Sequence, residues 1–157
     1  MTIQIDTREK QKAIKKILAE FDNSGVKHIS SKLYVGDYMS LDNPRLIIDR
    51  KKDLLEICGN VCQQHKRFIN ELQRAGDAGI KLIILCEHGD GIKRLEDVNR
   101  WYNPRLRVSP LAVSGQRLFK ILYSISAKYG VDFMFCSKNE TGRKIIEILG
   151  GKSNAGS

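Results

Sequence analysis

The spacing of apolar and polar residues changes several times along the chain, and each change marks an element. Residues 2–7 (TIQIDT) alternate, which is the period of a half-buried strand. Over residues 9–22 (EKQKAIKKILAEFD) the apolar positions fall at 13, 14, 17, 18 and 21, one face of a helix. Asp6 with Glu9 fits a capping box at its start, and Asn23-Ser24-Gly25 ends it. Residues 26–41 (VKHISSKLYVGDYMSL) and 45–51 (RLIIDRK) read as two strands around a turn at Asn43-Pro44. A helix begins near Lys52–Asp53 and breaks around Gly59, and a second spans 63–75. KLIILCE, residues 81–87, is a short buried strand, followed by a glycine loop, HGDGIK. After a basic segment at 93–108, residues 111–129 form an amphipathic helix with Leu111, Leu118, Ile121, Leu122 and Ile125 on one stripe. VDFMFC (131–136) is another buried strand, Thr141–Leu149 a last helix, and 150–157 a flexible tail. Buried strands alternating with helices predict an α/β fold, with one domain over residues 1–149 and helices on both faces of a mixed central sheet.

Composition narrows the picture without deciding it. The chain has 157 residues, enough for a single core without a disulfide or structural metal. No apolar run approaches the roughly 20 residues of a bilayer span. The N-terminal MTIQIDTREK lacks the apolar core of a signal peptide, so the expectation is a soluble, intracellular protein and no membrane partner. The net charge is +9, with Lys and Arg clustered at 8–16, 50–52, 65–67 and 93–107. That is either a set of solvated faces or the footprint of a polyanion. No helix sets a basic face against Trp and Phe, which argues against a lipid surface. Cys86 and Cys136 end apolar runs and read as buried thiols. Cys58, Cys62 and His65 have zinc-ligand spacing, but no fourth ligand is evident, and small core residues are the simpler reading.

The chemistry lies in the second hairpin strand. Side chains alternate across a sheet, so Ile47, Asp49 and Lys51 share one face while Leu46, Ile48 and Arg50 take the other. Asp37 sits on the preceding strand beside Gly36, and register decides whether it meets Asp49. If Leu41 pairs with Leu46, Asp37 faces Arg50 and lands on the wrong side. If Leu41 pairs with Arg45, or a bulge intervenes at Gly36, Asp37 lies across from Asp49. Two adjacent carboxylates resist ionising together unless a cation lies between them. Mg2+ or Mn2+ suits such oxygen ligands, with the main-chain carbonyl of Arg50 as a third donor. A divalent cation acidifies the water it holds and stabilises phosphoryl charge. Lys51 then holds or deprotonates water, or offsets charge on a phosphate. The bland alternative is a surface ion pair between Asp49 and Lys51.

Three motifs in order tie these residues to a family. DTRE at Asp6–Glu9, VGDY at Val35–Tyr38 and IIDRK at Ile47–Lys51 resemble the nuclease domain of the XPF family and its archaeal Hef relatives, within the PD-(D/E)XK superfamily. That family's signature runs Asp-x-Arg-Glu, Gly-Asp, then Glu-Arg-Lys with an Asp shortly after. HKRFINELQRA is similar to its next helix, KLIILCE to its next strand, and YGVDFMFCSKNETGRKIIEIL to its closing segment, so the likeness covers nearly the whole chain. The resemblance implies a restriction-endonuclease-like fold and a metal-dependent, structure-selective DNA endonuclease. Its substrate would be branched or junction DNA in repair, recombination or replication, and its dimers would form through the nuclease domain. It implies that Asp37 and Asp49 bind Mg2+ or Mn2+, that Lys51 is catalytic, and that Asp6 sits at the site's edge near a water. It also implies that Arg8, Glu9 and Arg50 support the site or touch the DNA backbone, and that Arg67 contacts phosphate.

The sequence departs from the family pattern in places. The usual Glu is Asp49, one methylene shorter. The later Asp falls on Leu55, between Asp53 and Glu56, and Glu71 stands where several relatives have Gln. Neither a tandem helix-hairpin-helix domain nor a helicase is present in this sequence. Gln64, Arg67, Phe68 and Glu71 share one helical face by spacing, with Phe68 as core and the three polar residues lining a cleft. Glu87 ends a strand, where it is either part of a site or a cap. His65 and His88 read as surface residues. Trp101 with Arg100, Arg105 and Arg107 either stacks on DNA or packs a loop onto the core. The rival to an endonuclease is a non-catalytic DNA-binding module or partner subunit with a degenerate nuclease fold; a third reading is an unrelated basic scaffold. The stripe of residues 111–129 is either the surface for a homodimer or simply core.

Overall fold

A computed structural model describes residues 1–151. The elements run β1 (Thr2–Ile5), α1 (Lys15–Asn23), β2 (Lys27–Ser30), β3 (Tyr38–Ser40), β4 (Asn43–Lys51), α2 (Leu54–Val61), α3 (His65–Asp77), β5 (Lys81–Cys86), α4 (Gly115–Tyr129), β6 (Asp132–Phe135) and α5 (Thr141–Leu149). Three short 3-10 turns, Leu95–Arg100, Pro104–Arg107 and Lys138–Glu140, fill connections. The six strands make one sheet in the order β2-β1-β3-β4-β5-β6. β1 runs parallel to β2 and antiparallel to β3; β3 is antiparallel to β4; β4, β5 and β6 are parallel. This is the α/β arrangement with a mixed sheet that the alternation of elements predicts. Among the described residues no helix is long and apolar enough to cross a membrane.

Each face of the sheet carries its own core. Ile47, Leu82, Ile84 and Cys86 face α2, α3 and α4, where Ile57, Leu72, Leu118 and Leu122 cover them. Ile3, Ile5, Ile48, Ile83 and Leu85 face α1 and α5, under Ile17, Phe21, Ile145 and Ile148. Successive side chains of β4 and β5 enter opposite cores, because the sheet is covered on both sides. β5 is buried at every residue but Lys81, which is why its sequence shows no polar period.

Several boundaries differ from the sequence-based expectation. The helix predicted from residue 9 starts at Lys15, and its N-cap, Ile14, has no side-chain cap bond. Asp6 and Glu9 form no capping box, because each carboxylate is engaged elsewhere: Asp6 by Leu33 and Arg8, Glu9 by Arg50. Residues 26–41 are two short strands, not one. β2 pairs with β1 at the sheet edge, and the chain then crosses to β3 through a loop that buries Leu33 and Val35. The hairpin turns at Leu41-Asp42, so Asn43 and Pro44 begin β4. α2 runs through Gly59 to Val61. Leu111 is 89% exposed, before an α4 that starts at Gly115 behind its cap Ser114, and so is not on the buried stripe. Leu118, Leu122 and Ile125 are buried in this chain's own core, so the stripe offered as a dimer surface is already covered. Most of the expected flexible tail, residues 152–157, lies outside the described residues.

Candidate active site

The site forms where β3 begins and β4 ends. Gly36 makes it possible. Its φ is +73°, and a Cβ there would lie 2.5 Å from Ile47 Cγ2 and 3.1 Å from the Ile48 carbonyl. Only glycine turns the chain that way and lets it press against β4. Asp37 N then donates to Ile48 O at 2.8 Å, and Asp37 O accepts from Asp6 N at 2.9 Å. Tyr38 pairs with Ile48 and Met39 with Ile47, which continues to Asp37 opposite Asp49. The register shift needed to close a two-residue turn on this pairing falls between Met39 and Ser40, nearer the turn than Gly36. The condition that the sequence set for an acid pair is met, by a bulge at another position.

Asp37, Asp49 and Lys51 therefore share the sheet face that carries α2 and α3. Lys51 Nζ lies 3.5 Å from Asp49 Oδ2. Arg50 N donates to Asp37 Oδ2 at 2.7 Å. A residue's N–H and C=O leave a strand on the same side, so the Arg50 carbonyl also lies toward Asp37, past the start of β3. Burial, then the charge of Asp49 and a hydrogen bond shared with it, push Asp37 up to about 9; the Arg50 N–H opposes this. Without a cation Asp37 keeps its proton at neutral pH. Burial works against the Lys51 ammonium, but Asp49, Glu56, Glu71 and Asp37 together outweigh it and raise its pKa. Lys51 is held charged. Glu71, from α3, is raised first by burial and then by Asp49.

Behind this face lies a buried ionic network on the other side of the sheet. The Arg50 guanidinium donates Nε and Nη2 to Glu9 at 2.8 and 2.7 Å, and Nη1 to Glu87 at 2.6 Å. Thr141, opening α5, donates to Glu87 at 2.5 Å. Arg50 thus reaches one face with its side chain and braces Asp37 with its backbone. Its pKa is raised, chiefly by the bond to Glu9. Burial also raises the Tyr38 phenol, and its hydroxyl is buried without a partner beside this network.

A cleft of about 870 Å³ opens over the centre. It gathers most of the residues singled out in the sequence: Arg8, Glu9, Asp37, Asp49, Arg50 and Lys51, with Gln64, Arg67 and Glu71 from α3. Asp6 is left out. It is fully buried, with Oδ1 accepting from Leu33 N at 2.7 Å and Oδ2 from Arg8 N and Nε at 3.0 and 2.6 Å. Burial opposes its ionised form, yet the bonds from Arg8 and Leu33 prevail and its pKa is lowered. Asp6 holds the Asp-Thr-Arg-Glu turn to the 31–33 loop. Asp53 is also absent from the lining and caps α2 through Glu56 N at 2.8 Å, whereas Glu56 and Glu87 reach the cleft. Leu55 lines a separate hollow near Cys58 and Leu111. Trp101 meets His88 edge-on, with ring centroids 6.2 Å apart, and packs its loop against the core. Sequence reasoning missed Thr141 and Lys138 and saw the lysines around α1 only as part of the basic cluster at 8–16; for the network it had strand-end Glu87 and the support implied for Glu9 and Arg50.

Among the described residues no three Cys, His, Asp or Glu side chains gather closely enough to hold a metal ion by themselves, which applies to Cys58, Cys62 and His65 as well as to the cleft. The fit for Mg2+ or Mn2+ is with two carboxylates, a backbone carbonyl and water, all hard oxygen donors. The forced protonation of Asp37 is what a cation between the pair would relieve.

Comparison with known proteins supplies the context. The ERCC4 domain matches residues 5–148. No curated protein matches the chain. Among solved structures, XPF from Aeropyrum pernix superposes with a TM-score of 0.67 at 20% identity, covering 98% of this chain and 65% of that one. XPF from Aeropyrum pernix in complex with DNA gives a TM-score of 0.68 at 19% identity, covering 98% and 66%. The chain thus spans a little under two thirds of the solved chains it matches. At such identity the likeness establishes the fold.

Proposed function

The chain belongs to the ERCC4 domain family, and from that premise we propose that it is a divalent-metal-dependent DNA endonuclease acting on branched or junction DNA. The observation that carries this reading is the β3–β4 register, which sets Asp37 against Asp49 with Lys51 beside them at the floor of a basic cleft. Asp37, Asp49 and the Arg50 carbonyl would hold Mg2+ or Mn2+, which when bound supplies charge stabilisation at the phosphate and a more acidic water. Binding it requires Asp37 to give up its proton. Lys51, kept protonated, faces the phosphate as a cation and offsets charge on its non-bridging oxygens. Water attacks the phosphorus in line with the leaving oxygen. Arg67 receives a neighbouring phosphate, with Gln64 one helical turn away, while Glu9, Arg50 and Glu87 keep the Arg50 peptide in place. A homodimer belongs to the same reading, through surfaces other than the buried α4 stripe; concentration-dependent light scattering tests it.

Cleavage assays on flap, fork, four-way and linear DNA, each with Mg2+ or EDTA, decide between catalysis and binding alone. The expected result is Mg2+-dependent cutting that favours branched substrates, disappears in Asp49→Asn and falls about 10²-fold or more in Lys51→Ala. Binding without cutting in any metal supports the non-catalytic alternative and removes the nuclease reading.

A further inference from the structure

The cleft has a second bank that the proposed chemistry does not use. Of its cationic side chains, Arg8, Arg50 and Lys51 are engaged by carboxylates. Lys12, Lys15, Lys16, Lys52, Arg67 and Lys138 also line it, and among the described residues none of these makes an ion pair. They divide by layer. Arg67, on α3, stands on the α2–α3 side. Lys12, Lys15, Lys16 and Lys138 stand on the α1–α5 side, across the end of the sheet.

The second group converges by construction. Lys16 Nζ donates to Asn139 Oδ1 at 3.0 Å, tying α1 to the turn that carries Lys138. α1 and α5 touch at Gly142, where a Cβ would lie 2.7 Å from Glu20 Cβ and 3.3 Å from Ile17 Cα. Lys15 and Lys16 on α1, Lys12 in the turn before it and Lys138 in the turn before α5 are all exposed, around two helices locked together, and they line a cleft whose floor is acidic. Like charges so gathered repel one another and gain energy only when an anion arrives. The acidic floor meanwhile turns phosphates away except at Lys51 and where a bound cation would sit. A polyanion crossing the cleft has cations waiting on both sides of the centre.

We propose that Lys12, Lys15, Lys16 and Lys138 form a phosphate-backbone site that grips the DNA on the side of the scissile bond opposite α3. The inference rests on the nuclease reading and deepens it: the substrate is held on both flanks of the Asp37–Asp49 centre. Contacts of this kind position the backbone and carry no base specificity.

The test is fluorescence anisotropy with fork DNA in EDTA over a salt series, followed by single-turnover cleavage in Mn2+ at saturating protein. The variant is Lys12→Ala/Lys15→Ala/Lys138→Ala, which spares Lys16 and its bond to Asn139. A control, Lys27→Ala/Lys120→Ala/Lys128→Ala, removes equal charge from exposed positions outside the cleft lining. Thermal melts establish that both fold. The cleft variant is expected to lose about 2–3 from the slope of log K against log salt, roughly 0.9 for each phosphate contact removed, while the control keeps its slope. Its cleavage rate once saturated stays within about threefold of wild type, since these lysines touch no reacting atom. A slope and affinity equal to the control's overturn the proposal. If wild type binds with the expected slope difference but never cuts, the lysine site stands and the nuclease reading falls. If wild type does not bind DNA, both fall.

Discussion

At the residue scale the molecule turns on one proton. Asp37 is pushed up to about 9 in the fold, whereas an unfolded Asp titrates near 4 (about 3.9). A carboxyl raised in this way contributes stability that is fully present below its unfolded pKa and is lost as pH rises through its folded pKa. In EDTA, the melting temperature of wild type should therefore fall between about pH 4 and pH 9 relative to Asp37→Asn, whose amide cannot ionise. Parallel pH dependence in the two proteins would refute the proton held on Asp37. A divalent cation held as proposed would reverse the balance, because it needs the ionised pair. Calorimetric titration of Mg2+ or Mn2+ at pH 7 in buffers of different ionisation enthalpy should register close to one proton released. Asp37→Asn should abolish that release along with tight binding.

At the element scale, glycine and register decide whether a site exists. Gly36→Ala combines a left-handed φ with a contact that no side chain tolerates, so it should cost about 2 kcal/mol or more of stability by denaturant melt and abolish cleavage. Glu9→Ala leaves Arg50 with Glu87 alone and should cost about 2 kcal/mol, the range for a hydrogen bond to a charged group. These elements were partly legible in the sequence. The alternation of Ile47, Ile48, Asp49, Arg50 and Lys51 gave both faces of β4, because a strand buried on two sides fixes its side chains by period alone. The register beside it was legible only as two options, since the bulge between Met39 and Ser40 depends on the Leu41-Asp42 turn and on β1, far away in the chain. The Asp6–Glu9 pattern misled for a related reason. A capping box and a pair of buried tertiary anchors need the same residue types, and only the partners Leu33 and Arg50, 27 and 41 residues distant, tell them apart.

At the scale of the whole molecule, the sheet divides two helical layers and the cleft opens across its end. Sequence periodicity revealed each layer's amphipathic helices but not which layer each joined, because α1 and α5 meet only in the fold. That is why the lysine bank was not legible as one site: Lys12, in the basic cluster at 8–16, and Lys138 are more than a hundred residues apart in the sequence. On the proposed reading, the same arrangement makes DNA affinity a property of both layers and catalysis a property of one. Raising salt should weaken binding steeply while leaving the cleavage rate of bound DNA nearly unchanged.

The most direct measurement of the central claim is single-turnover cleavage of fork DNA, with Mn2+ varied, for wild type, Asp49→Asn and Lys51→Ala. Wild type should show saturable metal activation and Asp49→Asn no detectable cutting. Lys51→Ala should lower the rate about 10²-fold or more, with EDTA-state DNA affinity within about threefold of wild type for both variants. Wild-type cleavage that persists in EDTA, or an Asp49→Asn protein that cuts as fast as wild type, would contradict that claim.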